Sequence, residues 1–315
     1  MIKKGKISVT VPIHFGSKKR LDQFLANFFN QYSRTILKNW ILNAQVDING
    51  SIVTKPSKLV FIGDLITINI FEKRKIFFAE NIFLNIVYED DDILVINKPI
   101  NLVVHPGSGR DNGTILNALL YKDNRFQKIP RAGIIHRLDK NTTGLMVIAK
   151  NILAYEALVK FLKNREIFRE YEAIVIGNLI SGGTIKKKIG RHKKNRTKMC
   201  IDSIGKTAIT HYRIIERFKY HTHLRVWLET GRTHQIRVHM LYLTYPILGD
   251  PVYRSKFGIP KGMPEIILKK INFFSRPALH ASKLRFYHPR TNILMEFKAV
   301  LPKDMKKIIY ILKTN

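Results

Sequence analysis

Arg137 and Asp139, two residues apart, close an apolar run that begins at Gly133. Alternation along a buried strand over Ile134–Leu138 puts both side chains on one face. Asn141, Thr142, Thr143 and Gly144 then turn the chain before a second apolar run from Leu145. A charged pair at a strand end that opens into a turn suits catalysis, and it suits a structural ion pair nearly as well. Other constellations are weaker. Glu89-Asp90-Asp91-Asp92 offers carboxylates to a divalent cation, but it precedes a strand, in a turn-like position where acids are ordinarily solvated. No metal is expected there. His234 and His239 lack the His-Glu-x-x-His spacing of a metalloprotease, and no Gly-x-Ser-x-Gly elbow or glycine-rich phosphate loop occurs. His105-Pro106-Gly107 reads as a loop, either a plain turn or a pocket wall. The single cysteine, Cys200, forbids an internal disulfide and fits a reducing cytoplasm. It sits among cations, but no paired base can be argued for it.

The elements that must position these residues fall into two modules. In the first, from Ser17, Leu21, Phe24, Leu25 and Phe28 recur at helical spacing. Ser33 is a good N-cap for a second helix carrying Ile36, Leu37, Trp40 and Ile41. The alternating stretch 46–53, broken by Asn49-Gly50, predicts a hairpin, and Leu65–Phe71 a closing strand. Two short helices and a small sheet, with Arg20, Arg34 and Lys38 on them, resemble an S4 domain, a small RNA-binding module. Those three cations are its expected RNA contacts. The boundaries are 1–71 for this module, with a core from about 17, then a charged linker over 72–84, then a larger domain over 85–315. In the larger domain, strands are expected at 93–96, 134–138, 145–149, 171–176, 208–215 and 224–228. Helices are expected at 115–120, 152–162 and 233–243. Strands dominate without strict βαβ alternation, which predicts an α+β fold with a largely antiparallel mixed sheet.

Whole-chain charge adds a partner class. Lys and Arg number 55 against 23 acids, a formal charge of +32. A polyanion is the natural partner, because neutralised phosphates release condensed counterions. Abundant Lys, Ile and Asn would also follow from AT-rich coding. No apolar run approaches the roughly 20 residues of a membrane span. The basic start Met1–Lys6 is followed by no long apolar segment, so neither a membrane nor a secretory signal is expected.

Further stretches extend the pattern around Asp139. They are Asn97-Lys98-Pro99, Val104-His105-Pro106-Gly107, 113–120, Arg169-Glu170-Tyr171-Glu172-Ala173, 230–239, Gly249-Asp250-Pro251-Val252-Tyr253 and Ala278-Leu279-His280-Ala281. In this order they resemble the RluA family of RNA pseudouridine synthases across most of residues 86–301. The resemblance implies a catalytic domain behind the S4-like module and an isomerase that breaks the N1–C1′ bond of a uridine and rejoins the base through C5. Composition is unchanged, so no cofactor is expected. By the same resemblance Asp139 is the catalytic residue, Arg237 pairs with it and Tyr171 stacks on the uracil. The resemblance also has Arg137 fill the gap left by the flipped base and Leu279 form pocket wall; from the residues themselves, His105 is a pocket wall or a plain turn, and the basic stretch 186–198, with Arg191, Lys193, Lys194 and Arg196, reads as a phosphate contact loop or a merely solvated one. The residues flanking the motif, 130–134 and 142–147, favour the branch of the family acting on large-subunit ribosomal RNA, in the loop of helix 69. Free rRNA or a pre-ribosomal particle is then the partner, and nothing demands more than a monomer. Asn141 departs from the family, whose members usually have Asp there. Two other classes stay open on the residues alone: a non-catalytic ribosome-assembly factor on the same RNA surface, and a metal-dependent nuclease using the acids at 89–92.

Overall fold

The computed structural model describes residues 2–13, 18–29, 32–73, 77–107, 111–253 and 262–314. Ser17, Arg74 and Lys75, which fall in expected elements, lie outside them. The chain divides into two compact units, Met1–Ile76 and Phe77–Asn315.

The first unit opens with a strand, β1 (Ile2–Thr10), where the basic N-terminus suggested no element. A short strand β2 (Lys19–Arg20) leads into helix α1 (Leu21–Phe28), and α2 (Arg34–Leu42) follows. Ser33 caps α2 as its sequence predicts, its hydroxyl accepting the Ile36 N–H. The Asn49-Gly50 turn joins β3 (Val46–Ile48) to β4 (Ser51–Val53), with both turn residues at positive φ. After β5 (Leu59–Val60), which pairs with β2, strand β6 (Leu65–Lys73) runs antiparallel to β1 along its whole length. The main sheet has the order β1-β6-β3-β4. Leu21, Phe24, Leu25, Leu37, Trp40 and Ile41 bury against Ile66 and Ile68, whereas Phe28 and Ile36, which also fit the helical spacing, are exposed. A stripe at i, i+3, i+4 is wider than the face this small core covers.

The expected linker is shorter than 72–84. β6 continues to Lys73, because β1 supplies a partner that far. Residues from Phe77 belong to the second unit: Asn117 Nδ2 donates to the Phe78 carbonyl at 2.8 Å, and the Glu80 carboxylate accepts the Gly113 N–H.

The second unit is a mixed sheet with helices and loops around it. Strands β7 (Ile86–Glu89) and β8 (Ile93–Lys98) precede helix α3 (Ile115–Lys122), and β9 (Thr143–Ala149) precedes α4 (Ile152–Lys163). Next come β10 (Phe168–Ile176), β11 (Gly183–Lys186), a hairpin of β12 (Ile189–Arg191) and β13 (Met199–Ile201), then β14 (Ile209–Arg217) and β15 (His221–Leu228). Helices α5 (Gln235–Tyr242) and α6 (Glu265–Asn272), strands β16 (Leu279–Tyr287) and β17 (Leu294–Lys298) and helix α7 (Lys303–Lys313) complete it. The strand order is β11-β14-β15-β10-β16-β9-β8-β7, with β17 beside the far end of β16; among the described strands β9 and β16 alone pair in parallel. β8 over 93–96 and β9 over 145–149 are apolar because both faces are covered. Ile93, Val95, Leu145 and Val147 pack to one side, and Leu94, Ile96, Met146 and Ile148 to the other. Among the described residues no helix is long and apolar enough to cross a membrane.

Of the acids at 89–92, Glu89, Asp90 and Asp92 are wired into the fold. Asp90 accepts the N–H groups of Asp92 and Ile93 and lies 3.0 Å from His288 Nε2. Asp92 pairs with Arg290 at 2.8 Å, and Glu89 with Lys122 and Lys150, both at 2.9 Å. The oxygens of Asp90 and Asp92 complete a turn and clasp the β16–β17 connection.

Candidate active site

Asp139 does not sit at the end of a regular strand. Among the described residues of this segment Ile134 alone bridges to β9, at Ile148, and residues 135–139 form no strand. The His136 ring takes the place of a strand acceptor, its Nε2 receiving the Val147 N–H at 3.1 Å. The segment enters through an unusual bend: Arg131, Ala132 and Gly133 all have φ between 52° and 76°. Left-handed backbone costs a residue with a side chain roughly 1–2 kcal/mol. Gly133 has no alternative, since a Cβ there would lie 1.9 Å from the Ala149 carbonyl oxygen. On the far side of Asp139, its carbonyl accepts the Thr142 N–H, and the Lys140 carbonyl accepts from Lys98 Nζ at 2.9 Å. Lys98 is almost fully buried and also donates to the carbonyls of Pro99 and Leu102. Burial pushes its pKa down to about 7 against the pull of Asp139. The Oδ1 atom of Asn141 is buried without a hydrogen-bond partner among the described residues.

The partner side chains arrive from three elements. Helix α5 starts two residues later than its spacing predicts, because His234 takes a left-handed φ of 57°. Gln235 locks that start: its Oε1 accepts from Thr230 Oγ1 and the Arg232 N–H, and its Nε2 donates to the Ile209 carbonyl and Thr210 Oγ1. One half-turn on, Arg237 Nη1 donates to Asp139 Oδ2 at 3.0 Å. The rest of its guanidinium grips Asp250, Nε to Oδ2 at 2.6 Å and Nη2 to Oδ1 at 2.8 Å, and it lies 4.9 Å from the Tyr253 ring centre. Burial opposes the charge on Arg237, but Asp250 and Asp139 outweigh it and raise its pKa. Strand β10 supplies Tyr171, placed where the register between β10 and β16 shifts. Burial first, with Asp139 adding, raises the Tyr171 phenol pKa. Leu279, the first residue of β16, pairs with Ala173 next along β10.

These groups line one cavity of about 1080 Å³, which holds His105, Arg137, Asp139, Tyr171, Arg237 and Leu279 in its wall. Arg137 is exposed there, and His105 Nδ1 lies 2.9 Å from the Pro106 carbonyl. The basic hairpin residues Arg191, Lys193, Lys194 and Arg196 are exposed on the same unit but outside that wall. The hairpin is tied to the site from below. The Met199 N–H donates to the Tyr253 hydroxyl, which bonds His234 Nδ1 at 2.7 Å, and His234 Nε2 stands 3.9 Å from Asp139 Oδ2. Arg20, Arg34 and Lys38 are exposed in the first unit, where Arg20 pairs with Asp22 at 2.7 Å. Sequence reasoning assigned no role to Asp250, Tyr253 or His234, although each lies in a stretch it had singled out.

Comparison with known proteins decides what this arrangement belongs to. Residues 92–242 match the RNA pseudouridylate synthase model and residues 19–66 the S4 domain model. A protein of Buchnera aphidicola subsp. Baizongia pistaciae named ribosomal large subunit pseudouridine synthase D is 54% identical over 316 residues, covering 100% of both chains. The chain belongs to the RNA pseudouridylate synthase family. The identically named protein of Escherichia coli strain K12 is 50% identical over 298 residues, 94% of this chain and 91% of that one. Among solved structures, human RNA pseudouridylate synthase domain containing 4 superposes with a TM-score of 0.58 at 25% identity, over 73% of this chain and 93% of that one. A pseudouridylate synthase is an isomerase acting on RNA, and the α+β architecture with an S4 module in front is that of the expected fold.

Proposed function

We propose that the chain converts uridine to pseudouridine in large-subunit ribosomal RNA, in the loop of helix 69, with Asp139 as its catalytic residue. The observation that carries the assignment of the centre is the 3.0 Å bond from Arg237 to Asp139, backed by the buried grip of Arg237 on Asp250. Two carboxylates and one guanidinium leave a formal charge of −1, so Asp250 is neutralised and Asp139 faces the cavity as the anion. Attack at C1′, addition at C6 and proton abstraction from C2′ all use that carboxylate. Tyr171 supplies a rigid face for the uracil, and Leu279 and His105 close the wall. Arg137, exposed at the cavity, stands in for the flipped base in the RNA stack. Extrusion of the base costs a few kcal/mol, and less from a loop, whose bases are already poorly stacked. Arg191, Lys193, Lys194 and Arg196, with Arg20, Arg34 and Lys38 of the S4 module, contact the phosphates. The same reading makes the chain a cytoplasmic monomer acting on rRNA or a pre-ribosomal particle.

Asp139→Asn is expected to abolish pseudouridine formation, read by carbodiimide labelling, while RNA affinity and melting temperature stay close to the parent. Retained isomerisation by that variant contradicts the assignment. Mapping of ribosomal RNA from cells lacking the protein tests the helix 69 target, where pseudouridines should be missing.

A further inference from the structure

Arg169 is a buried cation with no ion-pair partner among the described residues. Only 7% of its surface is exposed, and its Nε has no hydrogen-bond partner. No ion pair or side-chain hydrogen bond from it occurs among the described residues. The reason lies in the alternation of β10. Arg169 and Tyr171 share the buried face, while Glu170 and Glu172 project from the other, where they pair with Arg225 and His223. Neither nearby acid of its own strand can reach it. The carboxylates of the cavity wall are also engaged, Asp139 with Arg237 and Glu229 with Arg165 and His211. His136 beside it is held neutral, with a pKa lowered to about 3 by burial and then by Arg169 itself.

A buried guanidinium carries a desolvation penalty, and among the described residues no carboxylate offsets it. It lines the same cavity as Asp139 and Tyr171. Seven Lys or Arg side chains line that cavity against two carboxylates, and of the seven only Arg169 and Arg237 are buried. Among the described residues Arg237 has two acids and Arg169 has none. Gly231 makes room for it: a Cβ at Gly231 would lie 2.8 Å from Arg169 Nη1. The missing partner must be an acceptor brought by the ligand, and a planar fork of donors fits an anionic phosphate better than a neutral carbonyl.

We propose that Arg169 is the receptor for one backbone phosphodiester of the bound RNA, at or next to the nucleotide that reaches Asp139. The inference rests on the RNA-isomerase reading above and deepens it. Arg169 positions the nucleotide; it touches neither reacting carbon.

The test uses the full chain and a stem-loop RNA with the helix 69 sequence. Each phosphodiester around the loop uridines is replaced in turn by an uncharged methylphosphonate. For the parent protein, one replacement is expected to weaken binding about tenfold or more, the weight of a charge-assisted hydrogen bond. For Arg169→Met the same replacement should cost nothing further, and the slope of log affinity against log salt should fall by about 1. Without RNA, Arg169→Met should melt no lower than the parent, since it removes an uncompensated buried charge. Gly231→Ala, which displaces the guanidinium but keeps its charge, should lose the sensitivity to that one replacement and serves if Arg169→Met misfolds. Unchanged methylphosphonate sensitivity and salt slope in both variants overturn the proposal. Isomerisation is scored separately: parent protein that shows the Arg169-dependent phosphate effect without isomerising this RNA contradicts the target assignment and leaves the phosphate receptor standing.

Discussion

Arg237 answers to two carboxylates at once, and that decides how the centre can fail. Asp250 is fully enclosed and spends its oxygens on Arg237 and on the N–H groups of Val252 and Tyr253. Removing it leaves a buried guanidinium with Asp139 as its only acid and two backbone donors unmet. Asp250→Ala is therefore expected to lower stability by about 3–5 kcal/mol, read as the shift of a urea transition, and to draw Arg237 off its line to Asp139, lowering kcat more than it raises KM. An intact kcat with the stability loss would make Asp250 purely structural. Asp139 itself was visible in the sequence as half of a charged pair, but its meaning came from the order of distant motifs. The grip of Asp250 on Arg237 joins residues 13 apart through a turn, and no periodicity connects a loop acid to a helix arginine. Arg169 was equally hidden, because what distinguishes it is a partner it lacks.

At the scale of elements, the bend before Asp139 is the most demanding piece of backbone. Three successive left-handed residues end at Gly133, against the Ala149 carbonyl. Gly133→Ala should cost more than about 2 kcal/mol and cut activity with Asp139 untouched, because the methyl group can be accommodated only by moving β9 or the catalytic segment. Measured stability and kcat equal to the parent's would show that the bend relaxes. Apolar content at 134–138 predicts a strand, but beyond the Ile134 bridge no ladder forms, and a histidine ring, not a carbonyl, receives the Val147 N–H of β9. Elements whose stability is local were legible. α2 announced itself by Ser33 and the hairpin by Asn49-Gly50. β1, β16 and α7 were not, since their pairing or packing partners lie far off in the chain.

For the whole molecule, burial of histidine sets the acid limit. Burial lowers His136 to about 3 and His221 to about 4, and it lowers His234, His239 and His280 as well. Between the ordinary value of 6.5 and these folded values, the unfolded chain binds protons that the folded chain refuses. Their contribution to stability is complete above pH 6.5 and is lost progressively as pH falls toward 3–4. The urea midpoint should accordingly drop between pH 6.5 and 4.5, and His221→Gln should flatten that dependence; a flat profile in the parent speaks against neutral buried rings. The strand order carries a different consequence, one of timing. β16, made near the end of the chain, lies between β10 and β9, so every strand from β7 to β15 leaves the ribosome before the strand that joins them exists. The wall bearing Asp139 and the wall bearing Tyr171 are thus translated as two unsealed halves. The sheet that joins these two walls can close only after synthesis has passed Leu279.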